Sequence, residues 1–459
     1  MEHKLQVAPV DKYVINPLKL FISNSVMGGV VLLVATVIAV TLANTEWSDW
    51  FLGLWKNRIA IHFNDTAFLD YDLHHWINDG LISIFFFVLG LELKREMVDG
   101  QLAGIKNAIL PIIVGISGMI FPALIFYLFN SNNPEALKGW GIPMACDIAF
   151  ILGVLYLLGD KVPASLKIFF TAFGIVDDLG AVLIIAIVYT NEIALVNIGI
   201  GMLFFVILLI ANRFGVRSTF FYGAVGILGV WIPFLLSGVH ATIAAVLVAF
   251  TIPATRKITE VGFVKKIDKY ASNLKKIDTV KGPTLNTDQL HIIGKMKSMT
   301  KHAMPPLQRL EHSLHPIVAF VVMPIFALAN AGVVFNINFS ELFSNNIFTG
   351  IVAGLVVGKF LGIFGVTYIL LKLNVAKLPH NMTVRHLFGI SVLSGIGFTM
   401  CLFITTLAYT NETEITQAKI AIFVASIIAG ILGYLILNTE KQKRATKSEA
   451  DDLNVPKSA

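Results

Sequence analysis

Charge is scarce in this chain. Asp, Glu, Lys and Arg make up 14% of its 459 residues, against about 25% in a soluble domain. Cysteine is almost absent: Cys146 and Cys401 stand far apart inside apolar runs, which excludes a disulfide framework and a cysteine-based zinc site. The few charges are also unevenly placed, with 31 of the 64 inside residues 1–20, 256–313 and 439–459. What remains is 56% apolar residues and a mean hydropathy of +0.76, too apolar for an ordinary water-facing surface. A soluble enzyme core, a disordered chain and a disulfide scaffold are excluded. The composition is that of a polytopic membrane protein.

A spanning helix needs about 20 mostly apolar residues. Twelve such runs are present, at 21–43, 76–95, 105–129, 139–158, 164–189, 193–212, 217–236, 237–254, 314–335, 347–371, 384–409 and 415–438. Only Ser237 and Gly238 divide the seventh run from the eighth. The first run is long, follows 20 residues and lacks a small-residue cleavage site, so it reads as an anchor and not a cleaved signal. Basic loops stay in the cytoplasm. Thirty of the 35 Lys and Arg fall in one alternate set of connections, and three (Lys56, Arg58, Lys138) in the other. Both termini are therefore expected in the cytoplasm. The net charge of +6 follows from this topology, and no nucleic-acid partner is implied.

The expected organisation is a cytoplasmic segment 1–20, eight spans within 21–255, a long loop 256–313, four spans within 314–438 and a cytoplasmic tail 439–459. The loop is Lys-rich and punctuated by Pro283, Pro305 and Pro306, and is expected to lie along the membrane surface, partly helical and partly flexible. Segment 44–75 alternates aromatic and polar residues, as an interfacial hairpin or amphipathic helix does.

Charges at membrane depth are costly and usually face a cavity or a partner. Asp147, the pair Asp177 and Asp178, and Lys359 lie well inside their runs. A lone buried Asp often serves only as a helix-to-helix tie, and a Lys can form a static ion pair. Two adjacent carboxylates fit that reading poorly, since they repel and each needs its own partner. Their side chains lie about 100° apart on a helix, so both can border one cavity. Hard cations prefer oxygen ligands, and protons take the same oxygens. Such competition is the minimal device for antiport. Lys359, paired with a carboxylate, keeps its charge and would release a proton when a cation displaces that pairing.

Glycines mark expected helix breaks. Gly139, Gly141 and Pro143 precede Asp147 in the fourth run, and Ser394, Gly395 and Gly397 interrupt the eleventh. Taken singly, a glycine in a membrane helix often means only close packing. Interruptions at corresponding places in two halves point to inverted repeats around a midplane site, here residues 105–189 and 347–438. If the broken helices cross, an Asp near the positive ends and a Lys near the negative ends would neutralise their dipoles. That arrangement suits Asp147 and Lys359.

Two further constellations face the cytoplasm: Glu92, Lys94, Arg95 and Glu96 ending the second run, and Arg309, Glu311, His312 and His315 opening the ninth. Histidine near carboxylates titrates close to neutral pH, as a pH sensor requires. Solvated helix ends look the same on spacing alone. His240 and Asp79 fall near the opposite surface, Asp79 as a helix-start or interfacial residue.

The segments ELKREMVDG, CDIAFILGVL, FGIVDDLGAVLIIAIVYTN, SGVHATIAAVLV, LEHSLHP, FALANAGV, GKFLGI and SGIGFTMCLFI together resemble the NhaA-type bacterial Na+/H+ antiporters over residues 20–438. The resemblance implies an all-α polytopic membrane protein with twelve transmembrane helices, inverted-topology repeats and two crossing discontinuous helices. It implies electrogenic, pH-regulated exchange of cytoplasmic Na+ or Li+ for external protons in the bacterial inner membrane, with no cofactor. It assigns cation binding to Asp178, and proton carriage to Asp177 paired with Lys359. Asp147 becomes the aspartate at the helix crossing. pH sensing falls to Glu92, Glu96, Lys94, Glu311, His312, His315 and His240. It implies a homodimer joined through 44–75. Cys146 stands where the family has Thr, Phe360 where proline is usual, and the 256–313 loop is longer than the family's. A symporter of an organic anion with Na+, or a channel, would use the same plan. An intramembrane aspartyl protease would need a second, separate Asp motif, which the sequence lacks.

Overall fold

The computed structural model describes residues 25–63, 66–100, 102–190, 193–277, 284–335, 342, 345–379 and 381–439. Segments 1–20 and 440–459, and Pro283, lie outside the described residues. Each apolar run nucleates helix, because no backbone N–H or C=O can remain unpaired in lipid. In chain order the helices are α1 Ser25–Ala43, the short α2 Ser48–Leu54, α3 Leu73–Asp99, α4 Ile105–Asn130, α5 Pro134–Met144, α6 Ile148–Leu157, α7 Ala164–Val188, α8 Leu195–Arg213, α9 Thr219–Leu235 and α10 Ala241–Thr251. They continue with α11 Glu260–Lys275, α12 Thr287–Ala303, α13 Pro306–Asn330, α14 Asn346–Lys372, α15 Val384–Leu393, α16 Phe398–Ala408 and α17 Glu412–Asn438. Seven of these are long and apolar enough to cross a membrane, or nine if the bent pairs α5–α6 and α15–α16 each count as one. Part of α1, α9 and α10 are shorter apolar helices.

Several sequence boundaries move. The apolar pattern of the ninth run begins at 314, but α13 begins at Pro306. Proline suits the first helical turn, where its missing N–H is not needed, so Glu311, His312 and His315 are carried on the spanning helix itself. The divider between α9 and α10 is where the sequence placed it, with Gly238 at φ +80. Segment 44–75 departs from an all-α chain. After α2 it forms a two-stranded antiparallel hairpin, β1 Arg58–Phe63 and β2 Thr66–Asp72. Arg58 stands opposite Asp72 and Ile59 opposite Tyr71, with a register shift before Ile61.

The breaks are real, but one is displaced. α5 and α6 meet at 42° across Ala145–Asp147, and α15 and α16 at 40° across Ser394–Gly397. Gly395 and Gly397 lie in the second break as expected. Gly139 and Gly141 do not lie in the first. They leave room for the hydroxyls of Tyr409 and Tyr189, which donate to the carbonyls of Ala136 at 2.7 Å and Lys138 at 2.8 Å.

Close packing brings α14 onto α4. A Cβ built on Gly358 would meet Pro122 Cα at 2.6 Å, and one on Gly362 would clash with the Ser117 carbonyl. Gly354–Gly358 and Leu361–Gly365 are widened π turns on either side of Lys359, a local form that leaves backbone groups free to adjust. Phe360 packs its ring against Phe364 and Phe388 at centroid distances of 5.2 and 4.8 Å. Gly358→Ala is expected to destabilise the protein by about 1–3 kcal/mol through overpacking. Gly365→Ala, which opens into free space, serves as the control. Thermal unfolding in detergent separates the two, and equal midpoints would show that the α4–α14 contact is slack.

Candidate functional site

The two breaks face each other. Asp147 donates its backbone N–H to the Ile396 carbonyl at 2.7 Å, which locks one break onto the other. Its carboxylate accepts from Phe150 N at 3.2 Å, capping α6. It also accepts from Thr399 N at 3.0 Å and Thr399 Oγ1 at 2.6 Å, in the first turn of α16. One acid thus satisfies the positive ends of two half-helices, where orphan N–H groups favour negative charge. The expected role of Asp147 at the dipole junction fits this geometry. The Cys401 thiol donates to the Ala145 carbonyl at 3.4 Å on the other side of the crossing.

Lys359 meets Asp177, the acid expected as its partner. Its ammonium is spent on Asp177, at 2.8 and 2.7 Å from the two carboxylate oxygens. Among the described residues no half-helix carbonyl accepts from it. Burial explains the choice: Lys359 is 0% and Asp177 1% exposed, and a buried ammonium requires a full counter-charge. Asp177 also accepts from the Cys146 N–H at 3.0 Å. Position 146 therefore contributes its backbone to the site while its side chain is a buried thiol.

Asp178, the neighbour on α7, is 2% exposed, and among the described residues its Oδ1 has no hydrogen-bond partner. A buried carboxylate oxygen without a partner is costly, and it requires explanation at a functional centre. Asp178 lines a cavity of about 320 Å³ together with Cys146, Asp147, Thr171 and Thr399. The same cavity is lined farther out by Glu92, Arg95, Glu311 and His315. The adjacent acids have different surroundings: Asp177 is locked to a lysine, and Asp178 faces open space.

The outer lining of the cavity is an ion-pair group. Arg95 bridges Glu311 at 2.9 Å and Glu96 at 3.0 Å, joining α3 to α13. Glu92 lies one helical turn from Glu96 and lines the cavity. Glu92, Glu96, Glu311 and His315 lie together here, and His312, exposed like His315, follows Glu311 on the same helix. Lys94 is not part of this group. Its ammonium donates to the carbonyls of Phe250 at 2.6 Å and Ile252 at 2.5 Å, closing the C-terminal end of α10, where a cation suits the helix dipole. His240 is also elsewhere. It precedes α10, with Nε2 3.2 Å from the Tyr189 carbonyl, so the 11-residue α10, about 16 Å long, separates it from Lys94. Asp79 pairs with His75 at 3.3 Å near the start of α3.

Sequence reasoning missed Thr399 and Thr171. Threonine inside an apolar helix is unremarkable, and only the position of Thr399 two residues after Gly397 hinted at it. Among the described residues no three His, Cys, Asp or Glu side chains form a resident metal cluster. The arrangement offers instead a cavity ending on carboxylate oxygens, with a lysine-bound carboxylate beside it. Such a site can hold a small cation or protons, one in place of the other.

The family model described as Na+/H+ antiporter 1 matches residues 19–437. A protein of Syntrophotalea carbinolica named Na(+)/H(+) antiporter NhaA 2 is 44% identical over 430 residues, 94% of this chain and 98% of its own length. The Na(+)/H(+) antiporter NhaA of Sulfurimonas denitrificans is 43% identical over 92% of this chain and 95% of its own. The corresponding protein of Acidithiobacillus ferrooxidans is 42% identical over 94% of this chain and 99% of its own.

Proposed function

The chain belongs to the Na+/H+ antiporter family of the NhaA type, and from that premise we propose that its exchange of Na+ for H+ takes place on Asp178 and Asp177. The observation that supports this most is the unpartnered Asp178 Oδ1 at the end of the cavity. Na+ enters past Glu92, Arg95, Glu311 and His315 and displaces a proton from the Asp178 carboxyl. It then draws Asp177 away from Lys359, whose ammonium, left without its counter-charge, gives up a proton to cavity water. Asp147 and the Cys146 backbone hold the frame, and Thr399 and Thr171 offer hydroxyl oxygens. Protons returning from the outside restore the acid and the ion pair. Two protons per Na+ make the exchange electrogenic.

The wider plan belongs to the same reading: twelve spans, inverted repeats that rock about the crossing, termini in the cytoplasm and a bacterial inner-membrane location. Glu92, Glu96, Glu311 and His315 at the mouth are the pH-sensing group, and Li+ follows the same path as Na+. Segment 44–75 joins two copies into a homodimer; its exposed Trp47, Trp50 and Ile59 support that role.

The test is transport in proteoliposomes with an imposed pH gradient. Na+ and Li+ are expected to dissipate the gradient and K+ to leave it intact. A gradient that persists with Na+ present contradicts the reading. An organic anion as substrate is disfavoured because Asp147 and Asp178 line the inner cavity and its one arginine, Arg95, lies at the mouth. Lys94→Met is expected to lower the thermal midpoint through the loss of two hydrogen bonds, at about 1–3 kcal/mol. The pH profile of transport should stay in place. A shifted profile would return Lys94 to the pH-sensing group.

A further inference from the structure

The connection between α10 and α13 builds an antiparallel helix pair, α11 and α12, which the exchange reaction does not use. Their half-buried positions, such as Phe263, Ile267 and Leu274 on α11 and Ile292, Met296 and Met299 on α12, recur at helical spacing and face each other. Another stripe on each helix remains uncovered. Val261 is 79% and Val264 57% exposed, and Leu290 is 57% and Ile293 39% exposed. Scattered apolar residues on a surface need no explanation. These fall on one face of each helix, and each face carries lysines: Lys265 beside the valines, Lys297 and Lys301 beside Leu290 and Ile293.

We propose that this helix pair docks on an anionic phospholipid surface, its apolar stripes entering the interface and its lysines reaching the headgroup phosphates. Alternation of exposed apolar side chains with snorkelling lysines is the pattern of interfacial helices. Lysines near an anionic surface add to the attraction, which salt screens. The tether favours a lipid surface over a soluble partner. The chain leaves α10 at Thr251 and rejoins the membrane body at Pro306. Both roots are fastened: Arg217 donates to the Thr255 carbonyl at 2.8 Å, and Lys257 N to the His302 carbonyl at 3.3 Å. A helix of 16 residues is about 24 Å long, so the bilayer that holds α10 and α13 is always within reach, at high effective concentration. The proposal does not rest on the exchange reaction.

A fluorophore at Leu290→Cys in the full chain tests it, with Cys146 and Cys401 buried and a label at Lys295→Cys on the opposite face as reference. The protein is reconstituted with lipid-borne quenchers in both leaflets, so the result does not depend on orientation. In vesicles containing phosphatidylglycerol, quenching at position 290 should exceed that at 295 several-fold. It should fall to the reference level in pure phosphatidylcholine, in high salt, and when Lys297→Glu and Lys301→Glu are added. Equal quenching at both positions in the anionic vesicles overturns the proposal. So does a label shielded from quencher in proportion to protein density, which would mean that a second copy covers the face.

Discussion

Asp178→Asn is expected to abolish Na+-driven proton movement while leaving the fold intact. The carboxylate ends the cavity and its Oδ1 has no partner among the described residues, so the amide removes charge without breaking a hydrogen bond at that oxygen. At about 4 Å and an effective dielectric of about 20, one charge pair is worth about 4 kcal/mol, or about a thousandfold in cation affinity. The thermal midpoint should stay near that of the parent chain. Asp178→Glu, which keeps the charge on a longer stem, should retain part of the activity. Transport at the parent rate in the Asn variant would remove Asp178 from the mechanism.

The opposite signature is expected at Asp177. Here the carboxylate is, among the described residues, the sole counter-charge for a lysine with no solvent exposure. Asp177→Asn strands that ammonium, and breaking a buried pair in this way costs about 3–5 kcal/mol. The thermal midpoint should fall sharply. Adding Lys359→Met should recover most of the loss, because an apolar chain of similar length removes the stranded charge, though exchange stays absent. If the double variant melts as low as Asp177→Asn alone, the pair is not what holds α7 against α14.

These two predictions separate adjacent acids that residue type alone does not distinguish, though the resemblance to the NhaA-type antiporters already pairs Asp177 with Lys359. A charge inside an apolar run is conspicuous, so Asp147, Asp177, Asp178 and Lys359 could be picked out at once. Which acid takes the lysine depends on how closely α14 approaches α4 and α7, and that follows from tertiary contacts at Gly358 and Gly362. Thr399 was hidden for the converse reason, since threonine is ordinary in a membrane helix. Spacing also merged distinct roles. Lys94 and Arg95 are neighbours in sequence, yet one closes the end of α10 and the other bridges α3 to α13. His240 was grouped with residues that lie at the far end of α10. The break before Asp147 was legible from Gly139, Gly141 and Pro143 only to within a turn, because those glycines make room for tyrosine hydroxyls and the chain opens at Ala145. The hairpin of β1 and β2 was one of two readings for 44–75, since alternation of aromatic and polar residues fits either a strand or a helix at an interface.

The central claim is that Na+ and protons compete for the same carboxylates. It is tested by titrating Na+ into the purified, unbuffered protein and counting protons released, at several pH values. Two protons should leave for each Na+ bound, and apparent affinity should weaken by about tenfold per proton for each pH unit on the acid side. Both effects should vanish in Asp178→Asn. Sodium binding of unchanged affinity across the pH range, with no protons released, would contradict the account.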